Sequence, residues 1–174
     1  MEQLQFSIEA MTSDDVESAT RVRLQSWLDT YVNEDAGVTR EWIETRNKDQ
    51  LSPERMAGRK KYLSTPNAAG WIAKNSKGGI IGVANAYLND NNVQRLGSLY
   101  VDKNWHGKGV GSELVKRVIE WSDPARPIEL GVVTYNERAK AFYRKWGFRE
   151  VPDSEALFDN MIPEVKMIRK GDKQ

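Results

Sequence analysis

Between Trp105 and Ser112 the chain reads Trp-His-Gly-Lys-Gly-Val-Gly-Ser, three glycines at alternate positions between a strand-like run and a helical one. Glycine admits positive φ and puts no Cβ in a ligand's path. The N–H groups around Gly107, Gly109 and Gly111 therefore suit a phosphate or pyrophosphate set against the positive end of a following helix. Lys108 adds a charge there and Ser112 a hydroxyl. No Gly-x-x-x-x-Gly-Lys-Ser/Thr occurs, so the loop is not a P-loop. A dinucleotide fingerprint is nearer, with Glu129 close to the ribose-binding offset. That motif, however, opens from the first strand of repeated βαβ units, whereas this longer loop follows strands with no helix between them. A turn serving only the backbone is the remaining reading.

Downstream, Leu130-x-Val132-x-x-x-Asn136-x-x-Ala139-x-x-Phe142-Tyr143-x-x-x-Gly147-Phe148 joins a strand, a helix and a glycine exit. Ala139, Phe142, Tyr143 and Trp146 lie three or four apart, on neighbouring parts of one helix face. Asn136 is placed as its N-cap and Gly147 as its C-terminal glycine. Taken alone, such an aromatic stripe is core.

Composition closes off other chemistry. With no cysteine there is no thiolate nucleophile, disulfide or thiolate metal site, and with His106 alone there is no histidine-rich metal centre. Basic and acidic residues nearly cancel, 26 against 25, so no global charge draws the chain to nucleic acid or an anionic membrane. No apolar run approaches a membrane span and the N-terminus lacks a basic-then-apolar signal, so the expected location is cytoplasmic. At 174 residues, 39 % hydrophobic and 29 % charged, with no repeat or long linker, the chain is expected to be one domain over residues 1–174.

The elements that must position these motifs follow from periodicity. Phe6–Ala10 reads as a strand, and a helix capped by Ser13 carries Val16, Thr20, Leu24, Trp27, Leu28 and Tyr31 at helical spacing. Thr39–Asn47 and Ser52–Leu63 read as helices, the second opened by Pro53. Trp71–Ala73 and Ile80–Leu88 flank a hairpin turn at Lys77-Gly78-Gly79, and Val93–Val101 follows as a third strand. After the glycine loop come a helix bearing Val110, Leu114, Val118 and Trp121, a strand at Ile128–Thr134, a helix at Asn136–Trp146, and strands at Phe148–Val151 and Val165–Ile168. This order is that of an α+β sheet, antiparallel early and interrupted late by two helices.

The two motifs together resemble those of the GNAT superfamily of acetyl-CoA-dependent N-acetyltransferases. The glycine loop is similar to that family's Arg/Gln-x-x-Gly-x-Gly/Ala segment, read here as His106-x-x-Gly109-x-Gly111 with histidine in the place of arginine or glutamine. The second is similar to its Asn-x-x-Ala-x-x-Phe-Tyr-x-x-x-Gly-Phe helix, and order and separation fit from about Phe6 to Ile168. The resemblance implies a mixed, mostly antiparallel central sheet flanked by helices on both faces, acetyl-CoA as donor, and no metal. It implies that the backbone of Leu99, Tyr100 and Val101 pairs with the pantetheine arm. His106, Gly107, Lys108, Gly109, Val110, Gly111 and Ser112 would hold the pyrophosphate. Asn136 would contact pantetheine, and Tyr143, also at the cofactor, would protonate the departing thiolate. Arg144 and Lys145 either form a solvated charged face, the more ordinary reading, or meet the terminal phosphate.

The acceptor is less defined. The resemblance implies direct transfer to a primary amine, which agrees with the lack of cysteine. Trp27 and Tyr31, one helical turn apart with Asp29, Glu34 and Asp35 nearby, either pack the helix onto the sheet, the more ordinary role, or receive a small cationic amine or polyamine. A peptide or protein amine is the alternative, and an acetyl-CoA-binding sensor or partner module without turnover stands against both. No carboxylate is singled out as base; Asp29, Glu34 or a water relay is open. The expected partner is a small molecule, and a homodimer is left open.

Overall fold

The computed structural model describes residues 6–172. Its strands are β1 Phe6–Ala10, β2 Ala68–Asn75, β3 Ile80–Leu88, β4 Gln94–Val101, β5 Ile128–Val133, β6 Phe148–Glu150, β7 Ala156–Phe158 and β8 Ile162–Arg169. Its helices are α1 Val16–Tyr31, α2 Arg40–Asn47, α3 Pro53–Leu63, α4 Val110–Trp121 and α5 Glu137–Lys145. The sheet runs β1-β2-β3-β4-β5-β8-β6, with β7 on β8, and every pairing is antiparallel except β4 with β5.

Strand alternation sends apolar side chains to both faces, so both must be covered. On one face Ala73, Ile81, Ala84, Leu96 and Leu130 pack under Val110, Leu114 and Val118 of α4 and Tyr143 of α5. On the other, Ile72 and Val83 meet Ala19 of α1, while Val133 and Ile162 meet Trp27 of α1 and Ile43 of α2. Thr39 and Ser52 cap α2 and α3 by accepting from the N–H groups of Trp42 and Arg55.

Two local expectations change. Ser13 is not the cap of α1: Thr12 donates its N–H and Oγ1 to the Asp15 carboxylate at 2.9 and 2.7 Å, closing a turn from which the helix starts at Val16. The last strand begins earlier, at Ile162, and β7 pairs with it across a turn in which Asp159 and Asn160 take φ of 48° and 55°. Asp and Asn tolerate that left-handed conformation. All three residues of Ala156-Leu157-Phe158 are exposed, with no inward–outward alternation, so no periodicity marks the segment as a strand.

Candidate active site

β4 and β5 are hydrogen-bonded partners only at their first residues, Gln94 with Ile128 and Arg95 with Glu129, although both strands continue. The cause lies on the other side of β4. Asn85 opposes Ser98 while Ala86 opposes Leu96, which leaves Gly97 as the extra residue of a β-bulge. A bulge bends its strand and increases the twist. A Cβ on Gly97 would stand 2.6 Å from the Tyr87 ring, so the bulge closes tightly only with glycine. Beyond it the Leu99–Val101 edge has no strand partner toward β5, and unpaired strand edges accept extended ligands.

The glycine loop meets this opening. Asp102 accepts from the Asn104 N–H, a single 3-10 turn follows at Lys103–Trp105, and Gly107 and Gly109 then take φ of 76° and 86°. A Cβ at either would meet nothing within 4 Å, so the space above the loop is open. Gly109 occupies the N-cap of α4 and offers no side chain to it, so the first N–H groups of the helix stay available to an anion. Together with α5 these residues enclose a cleft of about 540 Å³ lined by Leu99, Val101, His106, Gly107, Gly109 and Tyr143. Val110, Gly111 and Ser112 also line that wall. A narrower space of about 100 Å³ continues through the β4–β5 gap, where Tyr100, Asn136 and Tyr143 face Ser26, Thr30 and Tyr31 of α1. The opening therefore reaches both faces of the sheet.

Asn136 caps α5, its Oδ1 accepting from the Ala139 N–H at 3.1 Å, which leaves its amide N–H groups for another partner. Tyr143 is 8 % exposed, and burial, with Tyr100 beside it, pushes its phenol well above the ordinary range. The group therefore keeps its proton at neutral pH. His106 places Nε2 2.9 Å from the Val101 carbonyl, and its Nδ1 lies against the Arg138 guanidinium. Only the Nε2–H tautomer donates to one and accepts from the other. Burial and then Arg138 hold the imidazole below its usual pKa, so it is neutral. The permanent charge at the loop entrance comes instead from Arg138, which lines both parts of the opening.

Other placements differ from the sequence reading. Lys108 turns its ammonium onto the Trp105 ring, 5.0 Å from the centroid, and does not line the cleft. Arg144 is drawn to Glu150 and Glu137, while Lys145 does reach the cleft wall. Trp27 is 4 % exposed; its Nε1 donates to the Tyr100 hydroxyl at 2.9 Å and Arg46 already lies over its ring at 4.4 Å. That face is closed to an incoming cation. Asp29 is paired with Lys103 at 3.0 Å and Glu34 lies exposed in the turn after α1.

A carboxylate that sequence spacing does not reveal sits nearer the gap. Glu164 of β8 leans over Gly131 of β5, one oxygen 2.7 Å from where a Cβ would stand. Its charge acts on Tyr31 and Tyr100. Burial raises its pKa against the opposing pull of Arg95, with Asp159 adding to the rise. Arg138 had a weak signal, two residues beyond the Asn136 cap; Glu164 had none.

Residues 28–148 match the acetyltransferase (GNAT) family. The match covers more than half of the chain, and the chain belongs to that family. Its members take acetyl-CoA as donor, and the open glycine loop, uncapped helix end and free strand edge fit such a donor. An uncharacterized N-acetyltransferase of Mycobacterium tuberculosis is 34 % identical over 103 residues, 57 % of this chain and 62 % of that protein. The N-acetylaspartate synthetase of Xenopus tropicalis is 30 % identical over 93 residues, 52 % of this chain and 34 % of its own length. The chain thus spans less than two thirds of these relatives. Among solved structures, the PaiA N-acetyltransferase of Thermoplasma acidophilum in complex with coenzyme A superposes with a TM-score of 0.73 at 22 % identity, covering 95 % of this chain and 98 % of that one. At that identity the likeness concerns the fold.

Proposed function

We propose that the protein transfers the acetyl group of acetyl-CoA directly to a primary amine. The observation that carries this reading is one continuous opening, from the uncapped N-terminus of α4, along the free edge of β4, through to the α1 face. Pyrophosphate is held by the loop amides of residues 107–112 and by Arg138, which His106 orients. The pantetheine arm lies along Leu99, Tyr100 and Val101, within reach of Asn136. The amine attacks from the α1 side; its nitrogen bonds to the acetyl carbon as the carbon–sulfur bond breaks.

The attacking nitrogen must be neutral, whereas an alkyl ammonium has a pKa of about 10.4. In this reading Glu164, which leans over Gly131 of the gap wall, takes the proton through water; its raised pKa supports it as a better base than an exposed acid. Tyr143 answers the charge on the departing sulfur: burial keeps its phenol protonated, so the hydroxyl is available to donate a hydrogen bond to the thiolate as it forms and to pass its proton to that sulfur.

For the acceptor, the cationic amine suggested by Trp27 and Tyr31 meets Arg46 on the ring that would receive it. Tyr31 remains at the narrow gap, where any amine must pass. Coenzyme A release from acetyl-CoA over a panel of diamines, amino acids and peptides, with product mass, tests transfer. Release with an acetylated product is expected. Tight acetyl-CoA binding with no amine turned over would favour the non-catalytic module.

A further inference from the structure

Across β4 from the donor cleft lies a second cavity, of about 610 Å³, enclosed by α1, α3, β3 and β4. Arg23 of α1 and Arg55 and Arg59 of α3 face into it, against one carboxylate, Glu54. Several arginines elsewhere have acidic partners, among them Arg21 with Glu17, Arg46 with Asp159 and Arg95 with Glu129, whereas others such as Arg138 have none among the described residues. Among the described residues, no Asp or Glu lies within ion-pair distance of Arg23, Arg55 or Arg59.

These guanidinium groups are nevertheless held in place. Gln50 accepts from Arg23 at 3.0 Å through Oε1, accepts from Arg59 with the same oxygen, and accepts from Arg59 at 2.7 Å through its backbone carbonyl. A neutral amide orients cations without cancelling their charge. Burial and then the charges of Arg23 and Arg55 bring Arg59 down to about 10, as expected of cations gathered without a counter-ion. The cavity floor is Gly97 and Ser98, the bulge residues just before the Leu99–Val101 edge. A strand advances about 3.3 Å per residue, so a group above Ser98 is a small molecule's length from the reacting edge.

We propose that this cavity is the acceptor pocket and selects an amine that carries an anionic group, a carboxylate or phosphate bound by Arg23, Arg55 and Arg59. The amine end points along β4 toward Leu99. Planar guanidinium forks suit both anions, and the same charges repel a diamine. The proposal rests on the acetyl-transfer reading above for the fate of the amine, and on the arginines alone for its binding.

Binding is therefore measured without turnover, by calorimetry on the protein saturated with coenzyme A. The probes are L-glutamate, O-phospho-L-serine, glycinamide and spermidine. An anionic amine should bind at least about tenfold more tightly than glycinamide or spermidine, and glutamate against phosphoserine decides which anion. Arg59→Met should weaken that binding by about tenfold or more. Arg55→Gln, which removes no hydrogen bond or ion pair among the described residues, should weaken it about threefold and guards against a misfolded Arg59 variant. Coenzyme A release should rank the amines in the same order, with KM for acetyl-CoA unchanged in both variants. Spermidine binding as tightly as every anionic amine, or wild-type affinity in both variants, overturns the proposal. Arginine-dependent binding with no coenzyme A release overturns the transfer reading and upholds anion recognition.

Discussion

The Tyr143 hydroxyl has no protein hydrogen-bond partner among the described residues, and its ring lines both the donor cleft and the gap through the sheet. Tyr143→Phe removes only that hydroxyl, so kcat should fall about 10²-fold while acetyl-CoA affinity stays near wild type, as steady-state kinetics and calorimetry would show. Glu164→Gln should also lower kcat, and stability should move the opposite way. The folded-state pKa of Glu164 is raised, so the wild type gives up stability as pH climbs from the ordinary carboxylate value through the raised one. The glutamine variant escapes this cost. Its Tm should exceed wild type at neutral pH, and the difference should vanish below about pH 4, near the ordinary carboxylate pKa. A variant no more stable at neutral pH would mean that Glu164 is not desolvated as described. Arg138→Met should raise KM for acetyl-CoA about tenfold with little change in kcat, since a charge-assisted contact to an anion is lost. At this scale the spacing made it legible that Asn136 and Tyr143 share one helical unit, and the roles proposed for them came from the family resemblance. Glu164 was not, because β8 meets β5 only in the folded sheet and the carboxylate rests where Gly131 has no Cβ.

Two glycines of one loop answer to different physics. Gly109 holds φ of 86°, whereas Gly111 lies inside α4, where a Cβ would find the Phe142 ring at 3.6 Å, an ordinary contact. Gly109→Ala should therefore lose both binding and about 1–2 kcal/mol of stability, from forcing an L-residue into the left-handed region. Gly111→Ala should weaken acetyl-CoA binding while leaving Tm at or above wild type, because its methyl enters the cleft and alanine favours helix. Thermal unfolding beside calorimetry separates the two; equal stability losses would contradict the assignment. Periodicity made α4 legible through Val110, Leu114 and Val118, all buried under the sheet. The bulge at Gly97 was out of reach, since a glycine in a strand run does not say which partner it lacks. Yet that residue separates β4 from β5 and so opens the site.

Across the whole molecule the sheet works as a partition with a slot in it. Helices α4 and α5, proposed to hold the donor, stand on one face and α1 with α3 on the other, and the slot between β4 and β5 is where the two sides meet. The order of elements made an α+β sheet legible, and the family resemblance implied helices on both its faces. The arginine-lined cavity proposed for the acceptor was not legible, because its arginines come from two helices far apart in sequence and Gln50 between them carries no motif. No helix among the described residues is long and apolar enough to cross a membrane. The central claim is that the slot and glycine loop form an acetyl-CoA site, and thermal unfolding with acetyl-CoA, NAD and ATP in parallel tests it most directly. Acetyl-CoA at about 100 times its dissociation constant should stabilise the fold by roughly 2.7 kcal/mol, with far smaller shifts from NAD and ATP at the same concentration. No shift with acetyl-CoA, or an equal one with NAD, would contradict it.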